Sequence, residues 1–182
     1  MSLNARPARR RGFTLIELLV TIAVLVILAT IAVPSFTAVI RSNRAVSEAN
    51  QLLSLYRLAR SEAIRRNQSV SICPTTNGET CAPNARWEEG LMVFVDANRN
   101  RVREGEDELL IQSLQPFSNV SDLTPSPAAF SAGLILTPVG RLATEEMGAG
   151  LGLGNITIAP LSGSDEYNKK IVIARSGRAQ IE

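Results

Sequence analysis

Histidine is missing from all 182 residues. Its absence removes the commonest general base, the Ser-His and Cys-His pairs, and most zinc sites. The sequence shows no other nucleophile with a plausible base. The acids Glu104, Glu106, Asp107 and Glu108 fall in one stretch with no partner base beside them, which does not make an acid/base pair. The expectation is therefore a protein that is not an enzyme and needs no cofactor. Aromatics are also scarce, at 4%, with a single Trp. Trp87 reads as core, covering a sheet edge or packing beside the cysteines, rather than as a ligand platform.

There are only two cysteines, Cys73 and Cys81. No His or further Cys completes a metal site around them. If the N-terminus stays in the cytoplasm, both lie across the membrane in the oxidising compartment, where a disulfide is the natural state. Basic charge is scarce too, once its position is considered. The formal net charge is +2, but Arg6, Arg9, Arg10 and Arg11 all sit in the first 12 residues. With those four set aside, 15 basic residues face 17 acidic ones, a net of −2. The body thus makes no global electrostatic case for nucleic acid. Clustered Arg ahead of an apolar run marks the cytoplasmic side of a membrane.

What is abundant is apolar length. Residues 18–40 contain no charge at all, which exceeds the roughly 20 residues of a membrane-spanning helix. Ala23, Ala29, Ala32 and Ala38 never fall two apart, so no A-x-A-like signal cleavage site is present. The run is either an uncleaved anchor or is preceded by a cut. Pro34 should kink or loosen the helix, which lipid or packed neighbours tolerate. Beyond it, Ala45, Ala49, Leu52, Tyr56, Ala59 and Ala63 recur at spacings of 4 and 3, one face of an amphipathic helix. Arg57, Arg60, Arg65 and Arg66 mark the polar side. The pattern predicts one helix over about 13–67, roughly 80 Å long.

The remainder is strand-like. β-favouring runs occur at 70–73, 91–95, 109–114, 134–136, 155–159, 170–174 and around 179–181, separated by Gly, Pro, Asn and Ser. The expected fold is α+β, with antiparallel sheet against the amphipathic half of the helix. The expected domains are 1–12 as leader, 13–40 as apolar helix, 41–67 as its amphipathic continuation and 68–182 as a β-rich domain. "MGAGLGLGN" (147–155) lacks phosphate-loop spacing and reads as a flexible loop.

Gly12 followed by "FTLIE" resembles the class III signal of type IV prepilins and pseudopilins. The resemblance implies cutting by a prepilin peptidase between Gly12 and Phe13, and methylation of the new Phe13 amine. Glu17 falls at the family's acidic position. A carboxylate in an apolar helix is costly when unpaired. Pairing with the cationic amine of a neighbour would offset that cost, so Glu17 is the candidate assembly residue. The alternative is an interfacial Glu that snorkels to water. The soluble part resembles minor pilins and pseudopilins of the GspH/FimT type. The residues that carry it are "ARSEAIRRNQSV" (59–70), "WEEGLMVFVDANRN" (87–100), "LTPVGR" (136–141) and "IVIARSGRAQI" (171–181). This implies a structural subunit whose partners are other pilins or pseudopilins, set in the bacterial inner membrane with its C-terminal part in the periplasm.

Two motifs remain. Asp96, Asn98, Asn100 and Asp107 match positions 1, 3, 5 and 12 of a calcium loop, but Arg101 stands where Gly belongs. A polar hairpin turn is the simpler expectation. Some FimT-like pilins carry a C-terminal G-R-x-R motif that supports DNA uptake. Here Gly177 and Arg178 match, and Gln180 replaces the second Arg. Lys169, Lys170 and Arg175 could complete a basic patch with Arg178. The alternative is a closing turn with exposed charge.

Overall fold

The computed structural model describes residues 12–117, 121–143, 153–161 and 165–182. The chain divides into two compact units, Met1–Val39 and Ile40–Glu182. A single helix, α1 (Leu15–Arg66), runs through the boundary. Its ends fall within two residues of those expected from the pattern.

In the first unit α1 begins with a capping box. The Thr14 hydroxyl accepts the Glu17 amide at 3.3 Å, and the Glu17 carboxylate reaches back to the Thr14 amide at 3.5 Å. Each satisfies a donor that the helix start would otherwise leave open. The segment is apolar all round: Phe13, Leu25, Ile31 and Phe36 are all at least two-thirds exposed. Its most apolar window has a mean hydropathy of 2.8 and none of it is covered by protein. The hydroxyls of Thr21 and Thr30 donate to the carbonyls of Leu18 and Ile27, so neither polar group is left unbonded.

The second unit holds the folded core. Ala45, Ala49, Leu52, Tyr56, Ala59 and Ala63 are all buried, as their spacing predicted. They face two antiparallel four-stranded sheets, rather than one. The first has the order β3-β2-β1-β5, from β1 (Val70–Pro74), β2 (Leu91–Val95), β3 (Leu110–Leu114) and β5 (Leu134–Leu136). The second has the order β4-β6-β7-β8, from β4 (Ser121–Ser126), β6 (Leu153–Pro160), β7 (Lys169–Ala174) and β8 (Ala179–Ile181). Val70, Ile72, Leu91 and Val93 join the helix in the main core, together with Ile156, Ile158, Ile171 and Ile173 of the second sheet. β1 and β2 are buried along their whole length because the first sheet is covered on both faces. A smaller cluster, Cys73, Met92 and Phe94, forms on its far face by strand alternation, with Cys81 and Leu110 packed on it.

β4 is a strand that the sequence pattern did not predict. Its residues, SDLTPS, fall in the gap between the expected runs at 109–114 and 134–136. The fold admits them because β4 is an edge strand, where Pro125 need not donate to a neighbour. The Gly-rich stretch is also partly strand, since Gly154 and Asn155 belong to β6, while residues 147–152 lie outside the described residues. Glycine is required at 154 because the Phe130 ring lies where a Cβ would be, 1.8 Å away. Trp87 is buried in the main core and donates its indole N–H to the Ser131 carbonyl at 3.0 Å. Glu89 is exposed, but its neighbour Glu88 is not. It is largely covered, pairs with Arg86 and accepts the Leu123 amide.

Candidate functional site

The linear motif lies at the start of α1. Gly12, Phe13, Thr14 and Glu17 line one open hollow of about 520 Å³. Gly12 has no atom within 4 Å of where a Cβ would be, so the Gly12–Phe13 junction is accessible. Glu17 stands in the first turn, exposed and held by its capping box beside the Phe13 backbone.

Cys73 and Cys81 are joined by a disulfide, with Cα atoms 5.7 Å apart. The enclosed loop is also held by polar bonds. The Asn77 side-chain oxygen accepts the amides of Glu79 and Thr80, and the Thr75 hydroxyl donates to the Thr80 carbonyl. Arg103 ties this loop to the next one, donating to the carbonyls of Glu79 and Glu108.

The Asp96–Asp107 segment is a self-bonded turn. The fully buried Asp96 carboxylate accepts the amides of Asn100 and Arg101 at 3.1 Å each, and the Ser71 hydroxyl at 2.5 Å. Asn98 and Asn100 both donate their carboxamides to Glu104. The side-chain oxygens of Asn98 and Asn100 accept the amides of Asn100 and Val102, so three of the four calcium-loop positions already accept bonds within the loop. Among the described residues no group of three or more metal-type ligands converges. The buried Glu108 carboxyl accepts the Glu104 amide, and its burial holds it above the usual carboxylate range.

The C-terminal basic residues do not form one patch. Lys169 and Lys170 stand at the start of β7, and Lys170 shares a backbone pair with Glu182. Arg175 and Arg178 are exposed in the hairpin turn at the opposite end of that strand, roughly 16 Å away at 3.3 Å per residue. Folding brings Arg178 instead to a second Gly-Arg turn, at Gly140-Arg141. A Cβ on Gly177 would lie 1.8 Å from the Gly140 carbonyl oxygen, so the two turns touch through their backbones. The half-buried Arg60 clamps both: its Nε donates to the Gly140 carbonyl at 2.9 Å and its Nη2 to the Ser176 carbonyl at 3.4 Å. The buried Tyr56 hydroxyl donates to the Gly177 carbonyl. Burial pushes that phenol well above its usual range, with Arg60 opposing. Arg60 had read as part of a solvated face. The repeated Gly-Arg pair, at 140–141 and 177–178, was the signal in the sequence that could have linked these turns.

An apolar helix that turns amphipathic and packs on antiparallel sheet defines a pilin-like subunit. The comparisons give the family. Residues 48–177 match the family described as Type II transport protein GspH, and residues 7–33 match the prokaryotic N-terminal methylation motif. The chain belongs to the GspH family of minor pilins and pseudopilins, whose members are structural subunits. It is 29% identical to the pilin-like protein PilA1 of Thermus thermophilus, over 95% of this chain and 99% of that one. The type IV minor pilin FimU of Pseudomonas aeruginosa has the same fold, with a TM-score of 0.59 at 20% identity, covering 77% of this chain and 89% of that one. The minor pseudopilin EpsH of Vibrio cholerae gives a TM-score of 0.48 at 10% identity, covering 76% of this chain and 94% of that one.

Proposed function

We propose that this chain is a structural minor pilin, cut by a prepilin peptidase after Gly12, methylated at the Phe13 amine and built into a type IV pilus-type filament. Residues 1–12 are the leader and residues 13–40 the single inner-membrane span. The amphipathic helix of residues 41–67 and the β-rich part at 68–182 stand in the periplasm. A type II secretion pseudopilus would use the same chemistry. The pilin name of the relative that spans nearly the whole chain favours the pilus.

The observation that carries the reading is a lone carboxylate, Glu17, in a protein-uncovered apolar helix directly behind an accessible Gly12–Phe13 junction. Before assembly the capping box supplies this carboxylate with a partner. In the filament the cationic Phe13 amine of a neighbour replaces it, and the pairing penalises a wrong axial register. Glu17→Ala should leave leader removal intact while lowering incorporation into sheared filaments at least tenfold, a loss of about 1.4 kcal/mol or more. Immunoblots of processed precursor and of sheared filaments read both steps. Wild-type incorporation of Glu17→Ala would end this role for Glu17.

A second reading is DNA binding during uptake, supported by the exposure of Arg175 and Arg178 at one hairpin tip. Gln180 in place of Arg, and the separation from Lys169 and Lys170, reduce the phosphate contacts available to it. A gel shift at low salt that is lost in Arg178→Ala would support it, and no shift would remove it.

A further inference from the structure

We propose that Arg141, Arg175 and Arg178 form a docking surface for acidic side chains of a neighbouring pilin-like subunit. The neighbour is supplied by the filament reading above. The surface itself rests on separate geometry. The backbones of the Gly140 and Gly177 turns are in contact, and each Gly is followed by an exposed Arg. Arg60 fixes the two turns to each other and to the helix, so the arginines project from a rigid base.

Among the described residues their charge is also unpaired. Elsewhere in the folded part many arginines have partners. Arg65 and Arg66 bind Glu62, whose carboxyl is held below its usual range by these two hydrogen bonds. Arg86 binds Glu88 and Asp122, Arg99 donates to Ser69, and Arg103 donates to two carbonyls. Among the described residues, Arg141, Arg175 and Arg178 form no ion pair. Arg178 further lines an open hollow of about 420 Å³ with Ser176, Gln180, Val172 and Ala174. Glu182 also lines the hollow and accepts the Gln180 carboxamide at 3.3 Å. An entering carboxylate would therefore meet the Arg178 guanidinium fork, which binds carboxylates bidentately, beside the Ser176 hydroxyl.

Protein fits this surface better than nucleic acid. The chain beyond residue 12 carries a net charge of −2, so capture of an acidic partner comes from this local cluster and not from a long-range field. The hollow contains no aromatic ring on which a base could stack. A carboxylate needs no stacking partner.

The test uses the chain from Phe13 onward, without Arg6, Arg9, Arg10 and Arg11, in detergent micelles, captured on immobilised poly-L-glutamate or on a short DNA duplex of equal charge. Wild type should bind poly-L-glutamate at low salt and release as salt rises. Arg141→Ala with Arg178→Ala should weaken capture about fivefold or more, as expected for two exposed pairs. Lys169→Ala with Lys170→Ala removes the same charge at the other end of β7 and should change capture less than about twofold. Arg175→Glu, at an exposed position in the hairpin turn, should abolish capture while leaving the melting temperature unchanged. Equal losses in the two double variants overturn the proposal, as does failure of wild type to bind. Tighter capture on the duplex overturns it in favour of nucleic acid. None of these outcomes depends on Glu17 or on filament growth, so the assembly reading can fail without this one.

Discussion

Gly177 and Gly105 have nearly the same backbone conformation, φ +77° and +75°, yet different surroundings. A Cβ at 105 would meet nothing within 4 Å, whereas one at 177 would lie 1.8 Å from the Gly140 carbonyl oxygen. Gly105→Ala should therefore cost only left-handed strain, about 1 to 2 kcal/mol. Gly177→Ala adds a backbone collision that cannot relax without parting the two turns, and should cost about 3 kcal/mol or more. Urea unfolding of both variants reads the difference directly. Equal midpoints would show that the turns separate freely, and that Arg60 does not hold them.

At the scale of elements, legibility followed the range of the interactions involved. The helix and its buried face were readable because spacings of 4 and 3 between Ala45 and Ala63 report one local geometry. Strands such as β2 and β7 were readable because β-branched and apolar residues cluster within five or six positions. β4 was not, because an edge strand needs neither an apolar run nor a full set of donors. The division into two sheets was also hidden, since it depends on which distant strands pair. The Gly12-to-Glu17 motif is contiguous and was visible at once. The Arg60–Gly140–Gly177 junction joins three segments far apart in sequence, and only the repeated Gly-Arg pair hints at it. The disulfide lies between these cases: the cysteines were visible, but not that Cys73 is fully buried with Met92 and Phe94 on the far face of the first sheet. Replacing both cysteines with Ser should lower stability by about 2.5 kcal/mol through the freed unfolded chain alone. Burying a hydroxyl at 73 adds to that. A urea midpoint equal to wild type would mean that the polar bonds of Asn77 and Thr75 hold the loop by themselves.

For the molecule as a whole, the question is what covers the first unit. Ile16, Leu25, Ile31 and Phe36 are each about two-thirds exposed or more, on a helix with no protein over its apolar window. So large an apolar surface is not stable in water and needs lipid or other helices around it. Both covers exclude charge at mid-segment, but at different stages. Val26 sits in the middle of the run, exposed, with no acidic residue between positions 18 and 40 to receive a cation. Val26→Arg should raise the cost of the membrane-inserted state by about 3 kcal/mol. Insertion comes before any filament, so the variant should shift from the carbonate-resistant membrane fraction to the soluble or degraded fraction. Glu17→Ala should remain fully membrane-bound. If Val26→Arg stays carbonate-resistant yet is absent from filaments, lipid tolerates the charge and the helix bundle does not. Retention of Val26→Arg in both fractions would mean that residues 18–40 are neither a span nor a packing surface.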